Sequence, residues 1–335
     1  MEAAKEIIHH SPSNIKVHHQ FEFSGRTGEF FRIWIVNMLL TILTCGIYSA
    51  WAKVRTKSYF YSSTLVAGSS FTYLAKPTSI LKGRLIALLL MVLFSIATQF
   101  APLLNIALIP ALMIATPWMI IKATIFNARM TAWRNVRFNF DGHYGDALVY
   151  FLLMPILTLA SLGLLYPWVV KKQKQYLVSH HSFGDTAFQP KFTAGNFYEV
   201  YLIGFGILAL SSLVIPLIPI VGVLIAPLGY ILAAAFIVAG KNNFIYGKSH
   251  LGDYRFNSTM KAAPLAWIYA SNMLAILLTL GLAIPWAMIR LARYRASCMV
   301  LVADNALDGF TDKIAEEQSA LGEEMADIFD VSAGI

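Results

Sequence analysis

One motif occurs three times in this chain, and it constrains the fold more than any other feature of the sequence. A hydroxyl residue is followed by Gly at position +2, Trp at +7, Lys or Arg at +11 and Tyr at +15. The copies are Thr44, Gly46, Trp51, Arg55 and Tyr59; Ser161, Gly163, Trp168, Lys172 and Tyr176; and Thr279, Gly281, Trp286, Arg290 and Tyr294. The tryptophans are 117 and 118 residues apart. This spacing predicts an internal repeat in three copies.

Long uncharged stretches indicate a membrane protein. Hydrophobic residues make up 57% of the chain, and the mean hydropathy is +0.61. The uncharged runs are 33–52, 85–121, 147–170, 200–240 and 262–289. A spanning helix needs roughly 20 apolar residues, so each of the two longest runs can hold a hairpin of two helices. The sequence therefore predicts an all-α polytopic membrane protein with short extramembrane β segments.

The repeat divides the chain into five parts. We expect a polar N-terminal arm, two full membrane repeats, a truncated third repeat and an acidic C-terminal tail. Their ranges are 1–20, 21–135, 136–252, 253–303 and 304–335. Each full repeat reads as strand, helix, glycine break, Trp-basic-Tyr helix, strand and helical hairpin. The first 20 residues hold no apolar stretch of the kind found in a cleavable secretory signal.

Charge is distributed unevenly along the chain. The tail from Asp304 onward holds nine of the 18 acidic residues and one base, so the rest of the chain is strongly basic. Bases beside spanning helices are typical of cytoplasmic loops that face anionic lipid. The aromatic residues are interleaved with membrane helices, so we expect membrane lipids as partners and no nucleic acid. The sequence does not predict an oligomeric state.

Two topologies are compatible with this sequence. Seven full crossings would put the two termini on opposite sides and divide the bases almost equally between them, which is unusual. If each glycine break is instead a turn, all basic segments lie on one face. Deep return helices would then carry Lys53, Arg55 and Lys57 into hydrocarbon at about 2.5 to 3.5 kcal/mol each. Shallow, interfacial return helices avoid this cost and are preferred here.

The repeated motif supplies the candidate site. One interpretation is an interfacial anchor, in which Trp and Tyr lie at headgroup depth and the bases reach water or phosphates. The other is that the copies surround a pseudo-threefold axis and converge on a lipid phosphate or an anionic solute. The residues of either site are Arg55, Lys172, Arg290, Trp51, Trp168, Trp286, Tyr59, Tyr176 and Tyr294. Gly46, Gly163 and Gly281 are hinges for gating or tight breaks in the helix.

Several other residue types are informative about mechanism. Asn37 and Asn272 lie inside apolar helices, where interhelical hydrogen bonds are a more common purpose than solute binding. No Asp or Glu lies within the uncharged runs, which disfavours proton-coupled transport. The pair His180 and His181 resembles a metal site only superficially, because neighbouring strand residues point to opposite faces. We expect no metal, no cofactor and no enzymatic activity, since no catalytic motif is found.

These features lead to two functional hypotheses. The first is a transporter or channel-like protein for an anionic or amphipathic solute, without a proton-coupling carboxylate. The second is a lipid-binding membrane scaffold or envelope regulator that transports nothing. A continuous polar pathway between the repeats would favour the first, and a dry packed interior would favour the second.

The sequence also resembles a known family. The run from Phe21, FEFSGRTGEFFRIWIVNMLLTILTCGIYSAWAKVRTKSYF, is followed by ILKGRLIA from Ile80 and NVRFNFDG from Asn135. These segments are similar to the YjgN family of bacterial inner-membrane proteins, a family defined as a domain of unknown function. The resemblance covers most of 21–310. It implies several spanning helices and a location in the bacterial inner membrane, and it supplies no activity, substrate or catalytic residue.

Overall fold

Helices of two lengths form most of the protein. The computed structural model describes residues 17–100, 103 and 105–303. Four long helices are apolar enough to cross a membrane. They are α3 (Pro77–Phe100), α4 (Asn105–Arg129), α8 (Ala194–Leu217) and α9 (Pro219–Gly247). α8 and α9 pack against each other as the helical hairpin that the run 200–240 predicts, whereas α3 and α4, which the run 85–121 predicts, leave the sheet and return to it with little packing against each other.

The remaining helices form three shorter hairpins, one at each copy of the motif. The first is α1 (Thr27–Leu43) with α2 (Ser49–Ser62), and the third is α10 (Ala262–Leu278) with α11 (Ile284–Ser297). In the second, α5 (Tyr144–Leu148) and α6 (Met154–Ala160) are joined by the π-helical Val149–Leu153 and followed by α7 (Tyr166–Ser179). Each short hairpin therefore consists of a helix, a turn at the predicted glycine and a return helix.

The strands pair into one sheet, which the sequence did not predict. They are β1 (Val17–Gln20), β2 (Glu22–Phe23), β3 (Thr64–Val66), β4 (Ser69–Tyr73), β5 (Thr131–Trp133), β6 (Val136–Phe140), β7 (His181–Phe183), β8 (Thr186–Pro190), β9 (Ser249–Leu251), β10 (Tyr254–Ser258) and β11 (Met299–Ala303). From β2 to β11, neighbours along the chain pair antiparallel, and β11 also pairs antiparallel with β1. The sheet thus nearly closes on itself through residues 17–23. The mostly helical fold with apolar helices long enough to span a membrane is confirmed, but an all-α class omits the sheet into which the short β segments join. Residues 17–20, assigned from the sequence to the polar arm, are part of that sheet.

The interior of the sheet is filled by apolar side chains. Val66, Trp133, Val136, Phe183 and Leu251 are all buried there. A second layer consists of phenylalanines from β4, β6, β8 and β10 and from the residue between β1 and β2, with successive ring centroids 6.0–6.5 Å apart: Phe21, Phe71, Phe138, Phe188 and Phe256. The cavity left between these side chains has a volume of about 60 Å³. Interdigitating side chains therefore leave little free space inside the sheet.

Three strand pairs share one register relative to the motif tryptophans. Phe23 is opposite Thr64 where β2 meets β3, and Phe140 is opposite His181 where β6 meets β7. Ser258 is opposite Met299 where β10 meets β11. In each pair the first residue lies 28 positions before a motif tryptophan, and the second lies 13 positions after it.

The sheet restricts the membrane topology. Because β1 pairs with β11, residues 17 and 303 lie on the same side of any membrane that the long helices cross. All eleven strands belong to this sheet, so each helical hairpin leaves it and returns to it. An odd number of crossings is incompatible with this arrangement. The ends of the hairpins remote from the sheet carry no Lys, Arg, Asp or Glu, and the bases lie towards the sheet.

Candidate functional site

The three glycine breaks have the same geometry. Gly46, Gly163 and Gly281 have φ values of 92°, 88° and 94°, in the left-handed region that favours glycine. Each glycine N–H donates to a carbonyl five residues earlier at 2.8 Å. The motif hydroxyl accepts a hydrogen bond from the backbone N–H four residues later, at 2.9 Å for Thr44, 3.1 Å for Ser161 and 2.9 Å for Thr279. These bonds satisfy the backbone in the turn, which explains the hydroxyl and glycine positions of the motif. A gating movement at these glycines stays a prediction.

The motif tyrosines lock the base of each hairpin. The hydroxyl of Tyr59 donates to the Arg26 carbonyl at 3.0 Å, that of Tyr176 to His143 at 2.9 Å and that of Tyr294 to Lys261 at 2.9 Å. Each acceptor directly precedes the first helix of the hairpin or is its N-cap. Burial raises the pKa of Tyr176 to about 12. The tyrosines thus have a structural contact that the motif alone did not indicate.

Each motif cation contacts residues of its own hairpin. The Arg290 guanidinium lies 5.1 Å from the centroid of the Trp286 ring and donates to the Ser271 hydroxyl. The Lys172 ammonium lies 5.8 Å from the Trp168 ring. Arg55 is exposed and donates to the Tyr48 hydroxyl at 2.9 Å.

The tryptophans remain beside these cations at the surface. Trp51 stacks on Tyr48 with ring centroids 6.0 Å apart, and Trp286 is 38% exposed. Among the described residues, no carboxylate lies within 4.0 Å of the three motif cations. Among the described residues, no hydrogen bond or ring contact joins one motif cation to another, and convergence on one axis stays a prediction.

The two asparagines of the apolar helices differ in their partners. The Asn272 amide donates to the Ala287 carbonyl at 3.2 Å, and its oxygen accepts from Arg290 at 3.3 Å. Asn37 is 5% exposed, and neither polar atom of its side chain has a hydrogen-bond partner. The interhelical hydrogen bond expected from the sequence is therefore present at Asn272 and absent at Asn37.

This difference predicts opposite effects of the same substitution. Asn37→Leu removes two desolvated, unpaired polar atoms and is expected to stabilise the protein by about 1 kcal/mol. Asn272→Leu leaves the Ala287 carbonyl without this donor and Arg290 without one acceptor, at a cost of about 1 to 3 kcal/mol. The two variants are each other's control in a detergent unfolding titration. Equal destabilisation by both would contradict this account of Asn37.

Contacts with the long helices give the depth of the short hairpins. The Tyr198 hydroxyl donates to the Leu164 carbonyl, in the glycine turn of the second short hairpin, at 3.1 Å. Tyr198 lies near the start of α8, next to Glu199. The Tyr166 ring lies 5.2 Å from that of Tyr201 and 6.1 Å from that of Phe205. At 1.5 Å per residue, Tyr201 and Phe205 lie about 11 and 17 Å from the start of α8, and about 18 Å of the helix follows Phe205.

The first hairpin ends at a similar level. Arg84 of α3 donates to the hydroxyl of Ser49, which directly follows the first turn. Arg84 is the last charged residue before the long uncharged run. In both hairpins, therefore, the turn lies close to the depth at which the neighbouring long helix loses its charges. The motif cations lie further towards the sheet, at the level where lipid headgroups meet a membrane protein.

Two further cations beside the first hairpin do not belong to the motif. The Lys57 ammonium donates to the Asn127 amide oxygen at 2.8 Å and lies 4.8 Å from the Tyr73 ring. Together with Arg84 it places additional positive charge between α2, α3 and α4. The sequence could have indicated the role of Arg84, because this residue directly precedes a long uncharged run.

His180 and His181 have backbone partners. A ring nitrogen of His180 is 2.9 Å from the Tyr176 carbonyl, and one of His181 is 2.6 Å from the Leu177 carbonyl. No group of three or more metal-ligating side chains occurs within residues 17–100, 103 and 105–303.

Comparison with known proteins identifies the family. Residues 18–328 match the family model described as bacterial protein of unknown function (DUF898). The chain belongs to this family. It is 30% identical to inner membrane protein YjgN of Salmonella typhimurium strain LT2 over 145 residues, which are 43% of this chain and 37% of that protein. It is 31% identical to inner membrane protein YjgN of Escherichia coli strain K12 over 154 residues, or 44% and 37% of the two chains.

These relatives also settle the location. Each alignment covers little more than a third of the relative's length, and no solved structure matches this chain. The resemblance to the YjgN family is confirmed, and the protein is an inner-membrane protein. Because the bases lie towards the sheet, the positive-inside rule predicts that the sheet faces the cytoplasm.

Proposed function

We propose that this protein is a membrane scaffold that binds anionic phospholipid headgroups at its three short hairpins. The supporting observation is the depth of Arg55 and Lys172, which lie on the sheet side of turns that are level with the last charges of α3 and α8. A cation at this depth, without a carboxylate partner, can attract the phosphate of an anionic lipid.

The aromatic neighbours fit the same proposal. Indole rings are favoured at the membrane–water interface because one part is apolar and the N–H is polar. Arg290 is held against Trp286 by hydrogen bonds to Ser271 and Asn272. A guanidinium fixed in this way loses little further freedom when it binds a phosphate. The shared strand registers support three equivalent binding units and thereby the predicted repeat.

The interior of the sheet favours this proposal over transport. The cavity of about 60 Å³ is lined by side chains such as Phe71, Trp133 and Phe188. Such an apolar space gives an anion no partner to replace its hydration, so its passage would be strongly unfavourable. Transport of an anionic or amphipathic solute would require a route outside the sheet interior.

The test compares matched arginine substitutions in purified protein. Arg55→Gln with Arg290→Gln removes two interfacial cations, and adding Lys172→Gln removes the third. Each lost contact is expected to weaken binding of phosphatidylglycerol or cardiolipin by about 1 kcal/mol, or roughly fivefold at that site. Native mass spectrometry with lipid titration measures the effect.

The control pair is Arg137→Gln with Arg255→Gln, which removes two exposed arginines from strands of the sheet. It is expected to leave lipid binding unchanged. Unchanged binding after loss of all three motif cations would refute the proposal. A solute flux into vesicles that depends on the same cations would favour the transporter instead.

A further inference from the structure

The three short hairpins are too short to cross the bilayer. The return helices α2, α7 and α11 contain 14 residues each. At 1.5 Å per residue each is about 21 Å long, whereas the hydrocarbon core is about 30 Å thick. The long helices α8 and α9 contain 24 and 29 residues. Of the described helices, only the long ones have the length to reach the far surface of the membrane.

The ends of the short hairpins are apolar and exposed. Leu43, Leu162 and Leu280, each in or beside a glycine turn, are 77%, 94% and 95% exposed. No described part of the protein covers these side chains, and the neighbouring long helices continue into uncharged sequence at the same depth. The occupant that fits such a surface is the acyl region of the leaflet next to the sheet.

We propose that these three apolar turns act as a wedge in one leaflet and concentrate the protein in membrane that is convex on the sheet side. Counting α5, the π-helical segment and α6 as one, six short helical segments enter the leaflet next to the sheet, whereas the far leaflet contains only α3, α4, α8 and α9 among the described helices. With helices about 10 Å across, the excess cross-section is on the order of 500 Å². Interfacial insertions of this kind respond to membrane curvature.

The turns are built to keep their shape under lateral pressure. Each combines a left-handed glycine, a backbone hydrogen bond to that glycine and a hydroxyl that accepts from the next helix. A turn that unfolded would expose unpaired backbone groups to hydrocarbon, which costs several kcal/mol for each group. The wedge requires only this depth and rigidity, so it does not depend on headgroup binding.

The test is curvature sorting in giant vesicles that contain the reconstituted protein. Asn257→Cys, on the exposed surface of β10, is labelled in a Cys45→Ser background with a dye that does not cross membranes. Only molecules with the sheet outside are then visible. A tether pulled outwards is expected to be enriched in these molecules relative to the vesicle. In a second sample the protein is labelled before reconstitution, and the dye on molecules with the sheet outside is quenched, so only molecules with the sheet inside are visible. These molecules are expected to be depleted from the tether.

Substitution of the turn leucines tests the cause. L43S/L162S/L280S is expected to lose the enrichment, whereas L89S/L210S/L228S, which changes three exposed leucines of the long helices, is expected to keep it. The wedge proposal would be wrong if wild-type protein, in both orientations, were equally distributed between tether and vesicle. Equal enrichment of the turn variant and the wild type would also overturn it.

Discussion

Replacing Trp133 by alanine is expected to lower the free energy of unfolding by about 3 to 5 kcal/mol, since this is the usual cost of deleting a large buried aromatic side chain. Trp133 is 5% exposed, and its ring centroid lies 6.3 Å from that of Phe71 and 5.9 Å from that of Phe183. Its indole N–H also donates to the Ser69 carbonyl at 3.2 Å. The substitution therefore opens a cavity in the sheet and removes a bond between β4 and β5.

A tryptophan outside the sheet provides the control. Trp267 of α10 is 68% exposed, so Trp267→Ala is expected to change stability by only about 0.5 kcal/mol. Heat or SDS unfolding in detergent micelles, followed by far-ultraviolet circular dichroism, measures both variants. Equal midpoints for Trp133→Ala and Trp267→Ala would show that the nearly closed sheet is not the stabilising core.

Replacing the three turn glycines by alanine is expected to cost about 1 to 2 kcal/mol at each site, because a Cβ is unfavourable in the left-handed region. No atom lies within 4 Å of a Cβ built at Gly46 or Gly163, so the cost comes from the backbone conformation and not from a clash. The sites are on separate hairpins, so the effects are expected to add. The triple variant G46A/G163A/G281A should lose about 3 to 6 kcal/mol.

Three helical glycines give the matched control. Gly83, Gly145 and Gly206 lie in helices, have ordinary φ values and also have no atom within 4 Å of an added Cβ. Alanine is favoured over glycine in a helix by roughly 1 kcal/mol, so G83A/G145A/G206A should unfold at or above the wild-type midpoint. If both triple variants behave alike, the shared turn geometry is wrong.

Local sequence was sufficient to predict the helical hairpins and their breaks. The runs 85–121 and 200–240 are long and uncharged, and length alone indicates two helices in each. Gly46 and its equivalents mark the turns because few other residues adopt the left-handed conformation. Both signals depend on residues that are close together in the chain.

The nearly closed sheet depends on residues that are far apart, and this is why it was missed. Thr64–Val66 and Ser249–Leu251 are only three residues long, too short for an alternating pattern to be recognised. The pairing of β1 with β11 joins Val17 to Ala303, and no local signal specifies it. The tyrosine bonds were missed for the same reason, because Tyr59 contacts Arg26 only after the hairpin has formed.

The depth of the short hairpins is tested most directly at Cys45. This native cysteine lies in the first glycine turn and is exposed, whereas Cys298 is buried, so a spin label can be attached to Cys45 selectively. Its accessibility to oxygen and to a water-soluble nickel complex in lipid bilayers gives its depth. A label at Ile218→Cys, between α8 and α9, provides the reference for the far surface. We expect the label at Cys45 to lie within the leaflet next to the sheet, well separated in depth from the label at residue 218. If both labels lie at the same depth, the short hairpins cross the membrane and the account is contradicted.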